Sequence, residues 1–313
     1  MRTIAAVTRE GLARSAAAWR LVVLVWGVHL VLAAAAAYPF WRALRSLLGP
    51  LPGADVLRTG IRFEALADLV ELRPGLLGAF GLSFVAVAGL GLLIGAAVTA
   101  GVLEVLRGED SRPLGHRFGR GAGRFFGRFV GVGLFVGLLA GLVGTLVVSP
   151  FMVLARRYVQ SGWDAARLAP LAGAAVDGLV ALLALLVFDA ARIHIVRADV
   201  GAFAGLRDGL GLVLRHPPVW LGTWFVNAAL VGLAVVLFVL FRRAVPTESG
   251  PQILAMVLVQ QALVLARTGL RVALLASETA LVGRLRPMGA AAEPGGASAP
   301  TQSDRSSPSP SSV

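Results

Sequence analysis

Six long apolar blocks decide what this chain can be. They lie near residues 20–40, 76–106, 129–155, 169–195, 219–241 and 253–282. At about 1.5 Å of helical rise per residue, each can cross about 30 Å of hydrocarbon. Lipid offers the backbone no hydrogen bonds, so such a segment satisfies its amides internally, as a helix. The expected fold class is an all-α integral membrane protein with six transmembrane helices. A soluble fold would need more charge on its surface: 57% of the 313 residues are hydrophobic and 15% are charged.

The first block has a second reading. A basic N-terminus, an apolar run and "AAAAAYPF" have the form of a cleaved signal peptide. The length of the run favours a retained span, as do Tyr38, Phe40 and Trp41 as an interfacial anchor.

All 29 basic residues are arginine, and net charge is +12. Such a balance can signal nucleic-acid binding. Here the arginines stand between apolar blocks, where membrane topology accounts for them, and no nucleic-acid partner is expected. Arg2, Arg9, Arg14 and Arg20 precede the first span; the second and fourth loops are also arginine-rich, while Arg242 and Arg243 mark the other side. This excess places both termini in the cytoplasm. Without cysteine, disulfides and thiolate chemistry are excluded.

The even-numbered loops share a design. Asp110 and Asp199 each stand twenty residues before the neighbourhood of the next span. Between Asp110 and the third span, Arg117, Arg120, Arg124 and Arg128 recur at helical spacing, with Phe118, Phe125 and Phe129 on another face. That pattern describes a basic amphipathic helix on the anionic inner leaflet. After Asp199, Val200, Phe203, Leu210 and Leu214 form an apolar stripe, closed by Pro217 and Pro218. The segment from Thr3 to Trp19 fits the same role. The six spans therefore read as three hairpins, with amphipathic interfacial helices before spans 1, 3 and 5. Residues 1–286 form this membrane domain. A short external helix is expected over "IRFEALADLVEL" (61–72), and residues 287–313, rich in Pro, Ser, Gly and Ala, read as a disordered cytoplasmic tail.

Gly133, Gly137 and Gly141 on the third span, and Gly91 and Gly95 on the second, offer flat surfaces for close helix packing. Polar groups inside the spans are fewer. Gln260, Arg267, Arg271 and Glu278 share one face of the sixth span; the fourth carries Asp177, Asp189, Arg192 and His194. Counting rise from the outer ends puts Asp189 and Arg271 at about 30 and about 27 Å. Arg192 and Glu278 come out at about 35 and about 38 Å, and Asp177 and Gln261 near about 12 Å. An arginine at a span centre costs about 2.5–3.5 kcal/mol on insertion scales, so a carboxylate partner is expected. The expected pairs are Asp189 with Arg271 or Arg267, and Arg192 with Glu278. They act either as structural pins between helices 4 and 6 or as the lining of a solute path; prolines confined to span ends favour pins. Asn227 reads as an interhelical hydrogen-bonding residue and His29 as a packing residue. No catalytic, cofactor or metal motif appears.

The stretch "AGVLEVLRGEDSRPLGHRFGRG" (100–121) resembles a common pattern in bacterial polytopic membrane proteins, and "FDAARIHIVRADVGAFAGLRDGLGLVLRHPPVWLGTWFVN" (188–227) resembles a family of uncharacterised six-span bacterial membrane proteins. They are loosely similar to the membrane domains attached to some glycerophosphodiester phosphodiesterases. The resemblance covers the central half of the chain and implies a helical membrane domain without the catalytic part. The expectation is a multi-pass protein of the bacterial inner (cytoplasmic) membrane. Its role would be a non-enzymatic scaffold or accessory component with an unidentified membrane partner. The alternative is a small-solute or ion permease using the polar seam.

Overall fold

Wherever the sequence supplies a long apolar run without an internal proline–glycine break, the chain is helical. The structure is a computed structural model that describes residues 2–48, 75–108, 111–159, 165–245 and 249–285. Among these residues there are eight helices and no strand: α1 (Arg2–Ala17), α2 (Trp19–Leu48), α3 (Gly75–Arg107), α4 (Leu114–Val159), α5 (Ala165–Ala198), α6 (Ala202–Arg215), α7 (Pro217–Ala244) and α8 (Gly250–Leu285). Six of them, α2 to α5, α7 and α8, are long and apolar enough to cross a membrane, so the chain is a multi-pass helical membrane protein. The helix expected over 61–72, Asp110 and the tail after residue 286 lie outside the described residues.

Two short helices precede α2 and α7, as the loop pattern anticipates, but the third differs. The basic segment before the third span is not a separate helix. It runs unbroken into the span as α4, 46 residues long. No proline interrupts 114–149, and Phe125 and Phe129 are buried at 0% exposure, so packing carries the helix through its glycines.

The core gathers at one end of the bundle. Apart from Gly144 and Gly173, the buried residues among those described fall in Val7–Val25, Ala96–Glu104, Gly121–Val132, Leu186–Val196, Gly205–Asn227 and Val272–Val282. Beyond these stretches the helices present leucine and valine outward, among them Leu92, Leu138, Leu179, Leu237 and Leu254. α2 gives the scale. Trp19 and Tyr38 are both exposed, and nineteen residues of helix separate them by about 28 Å, close to the hydrocarbon thickness. The outward-facing halves therefore offer the apolar surface that contact with lipid requires.

Backbone contact ties the packed end together. A Cβ added at Gly11 of α1 would lie 2.5 Å from the Ala273 carbonyl of α8. One at Gly121 of α4 would lie 2.9 Å from the Ala100 carbonyl of α3, and one at Gly205 of α6 would lie 3.2 Å from the Ala191 carbonyl of α5. So each amphipathic segment leans on the end of an even-numbered span, and α1 closes the arrangement on the sixth. These are not the glycines that regular spacing marks as packing residues. Gly91, Gly95, Gly137 and Gly141 have open space where a Cβ would go, and of the five only Gly133 meets a neighbour, Phe188 at 3.3 Å. Spacing marks a smooth face but not which helix end is pressed against another.

A Cβ on Gly209 would lie 2.6 Å from the Ala191 nitrogen, so Gly209→Ala has to push α6 off α5. A loss of about 1–3 kcal/mol is expected, the range of overpacking in a tight contact. Gly137→Ala should be neutral or stabilising by up to about 1 kcal/mol, since it adds helix propensity in open space. Thermal unfolding of the detergent-solubilised variants measures both.

Candidate functional site

Where the packed end meets the lipid-facing halves, α5 and α8 both carry charge inward. On α5 every residue from Asp189 to Val196 is buried, and Asp189 itself is 0% exposed. On α8 the residues Val272 to Glu278 are buried. Asp189 is the shared acceptor. Arg271 donates from Nη1 to Oδ2 and from Nη2 to Oδ1, each at 3.1 Å, the two-pronged geometry that makes guanidinium–carboxylate pairs strong. Arg192 donates from Nη2 to Oδ1 of the same carboxylate. The Arg192 guanidinium also lies 3.9 Å from the centroid of the Phe188 ring, whose face attracts a cation.

Arg192 thus pairs with Asp189, not with Glu278. Three residues apart on one helix, Asp189 and Arg192 reach each other without any contribution from α8. Glu278 is 1% exposed and interacts through space with Arg271 and Arg192, yet neither carboxylate oxygen accepts a hydrogen bond from the described residues.

The other polar residues of the seam are dispersed. Gln260 is exposed, and Gln261 is half-buried with no partner for its Oε1 among the described residues. Asp177 is exposed, beside Gly144 of α4, and forms no hydrogen bond with Gln261. α5 presents this stretch to α4, and only its packed end to α8, so equal depth does not become contact. Asn227 bonds back to the Thr223 carbonyl of its own helix (2.9 Å) rather than across to another. His29 likewise bonds the Val25 carbonyl at 2.8 Å.

Arg267 stands apart. It forms no ion pair or hydrogen bond with the described residues and lines, with Arg271, a cleft of about 420 Å³ between α2, α3 and α8. Arg271 is 40% exposed in its side chain, with Asp189 on one side and this cleft on the other. The seam is closed toward α5 and open toward α2 and α3.

The basic face of α4 is engaged by protein. Arg117 donates to the Val105 carbonyl (2.6 Å), Arg120 pairs with the buried Glu104, and Arg124 and Arg128 both bind Asp199. These arginines tie α4 to α3 and to the turn after α5. Sequence reasoning overlooks Glu104 as a buried acid, and it overlooks a set of helix-end links. Arg107 donates to the Val196 carbonyl, Arg197 to the Thr279 carbonyl (both 3.1 Å), and Arg284 pairs with Glu10. His194 Nε2 lies 3.0 Å from Asp208, joining α5 to α6. The visible signal is an arginine in the last turn of each even-numbered span.

Asp199 ends α5 with φ of 51°, a left-handed conformation that aspartate tolerates better than most residues. The equivalent position after α3 is Gly108, at φ 79°. Among the described residues no cluster of His, Asp and Glu could hold a metal ion. Compared with protein-family models, curated proteins and solved structures, the chain matches none.

Removing Asp189 leaves the buried Arg192 guanidinium beside that of the partly exposed Arg271 without their shared anion. Asp189→Ala is expected to cost about 3–5 kcal/mol, read as thermal unfolding and folded yield in detergent. The exchange Asp189→Arg with Arg271→Asp should recover part of that yield; no recovery would show that their attraction is not what holds α5 to α8. A second expectation concerns acid. The hydrogen bond from Arg128, reinforced by Arg124, holds the Asp199 carboxyl below its usual value of 3.8. A depressed folded value means the contribution is full above the unfolded value and is lost as pH falls through the folded one. Asp199→Asn should therefore lower the unfolding midpoint at pH 6 and flatten its fall below about pH 4.

Proposed function

We propose that this chain is a non-enzymatic integral membrane component, a scaffold or accessory subunit, of the bacterial inner membrane. The observation that carries the reading is the use made of intramembrane charge. Asp189 is wholly buried, and two arginines are spent on holding it, which locks α5 to α8 and leaves the carboxylate itself out of contact with solvent. Arginine concentration at the packed end supports a cytoplasmic position for that end, and for α1 and the end of α8 with it. The outer face of α6, where Phe203 is 75% exposed alongside Arg207, Leu210 and Leu214, fits the boundary of an anionic leaflet. The lipid-facing halves of the spans leave room for a membrane partner.

A permease is the second reading, and the cleft at Arg267 and Arg271 favours it. Proteoliposomes separate the two. For a scaffold, efflux of chloride, phosphate and small carboxylates stays at the rate of empty vesicles for both the native chain and Arg271→Ala. Efflux of any of them at least tenfold above empty vesicles, abolished by Arg271→Ala while the protein remains folded, would replace the scaffold with a permease.

A further inference from the structure

Over residues 189–192 of α5 and 267–278 of α8 stand three guanidiniums, Arg192, Arg267 and Arg271, against two carboxylates, Asp189 and Glu278. Arg192 and Arg271 are engaged by Asp189, and Glu278 lies among them. Arg267 is the surplus cation, on an apolar helix, without a partner among the described residues. An unpaired arginine in a span is expensive unless water or an anion reaches it.

Arg267 faces a built cavity. Its walls carry a second guanidinium, Arg271, one turn away, together with Thr99, Thr268 and His29, and no carboxylate among the described residues. Thr268 donates its hydroxyl hydrogen to the Val264 carbonyl, so its oxygen is left as an acceptor. His29 donates from Nδ1 to Val25, which leaves Nε2 as an acceptor. Thr99 has no hydrogen-bond partner among the described residues, so its hydroxyl is available as a donor. Two cations, a hydroxyl donor and acceptors for an acidic proton form the complement of a partly protonated oxyanion.

Depth narrows its class. Ser15 donates to the Gly269 carbonyl, and Gly269 lies against Val22. Val22 is three residues from the exposed Trp19, so Arg267 and Arg271 sit within roughly 10 Å of the interface that Trp19 marks. That is the level of lipid phosphates and of solutes entering from that side.

We infer that the cleft between α2, α3 and α8 is a binding site for a phosphate-class oxyanion, with Arg267 and Arg271 as its cationic ligands and Thr99 as hydroxyl donor. The inference goes beyond the scaffold reading and does not depend on it: a bound phosphate group is compatible with scaffold and permease alike. Its source is either a lipid headgroup or a free phosphate.

Thermal unfolding of the full chain in neutral detergent tests it, with three additions: phosphatidylglycerol, phosphatidylcholine, and inorganic phosphate at constant ionic strength. The expected result is a rise of about 3 °C or more with phosphatidylglycerol or with inorganic phosphate, as ligand linkage requires. The rise should be reduced at least threefold by Arg267→Gln and by Thr99→Val, and retained by Arg243→Gln at the opposite end. A rise with phosphatidylglycerol alone assigns the site to a lipid headgroup; a rise with inorganic phosphate assigns it to a free oxyanion. No rise with either overturns the inference, as does a rise that survives both cleft substitutions. Thr99→Val keeps the test decisive if Arg267→Gln does not fold. The flux measurement judges the scaffold reading separately, so failure of one leaves the other standing.

Discussion

The packed end of this protein depends on where one carboxylate is allowed to be. Asp189 is out of reach of water and is tolerable there only because Arg271 and Arg192 reach it from two directions. That requirement fixes the register of α5 against α8. With the register set, Arg197 meets the Thr279 carbonyl of α8, and Arg107, from α3, meets the carbonyl of the adjacent Val196. Val196 lies in the last turn of α5, where a helix leaves its carbonyls without an internal donor.

Around this link the short amphipathic segments act as wedges. α1, the start of α4 and α6 each set a glycine against the carbonyl of an alanine on an even-numbered span. The remaining lipid-facing halves need only be apolar, and their leucine and valine composition has little else to encode.

Periodicity and apolar length make the helices and their number legible, because lipid leaves the backbone no alternative. Depth counting brings Asp189 and Arg271 to the same level, and they touch. It fails for Arg192 and Glu278 because a local partner three residues away wins over a distant one of equal depth. It fails for Asp177 and Gln261 because depth says nothing about which way a helix is turned. The arginines of α4 read correctly as one face, but the acids that take them, Glu104 and Asp199, sit on other elements, and only the folded arrangement brings them near. The cleft is of the same kind: its walls come from the first, second and sixth spans, and no local pattern joins them.

The pairing of α1 with α8 has a temporal side. Ser15 bonds Gly269, 254 residues further along, and Glu10 meets Arg284 in the last turn of α8. During synthesis α1 emerges with its glycine face bare and keeps it bare until the sixth span has been inserted. A chain interrupted before that point carries an open seam along α1, and five inserted spans do not close it. The order of translation therefore leaves the α1 surface waiting for a helix made much later.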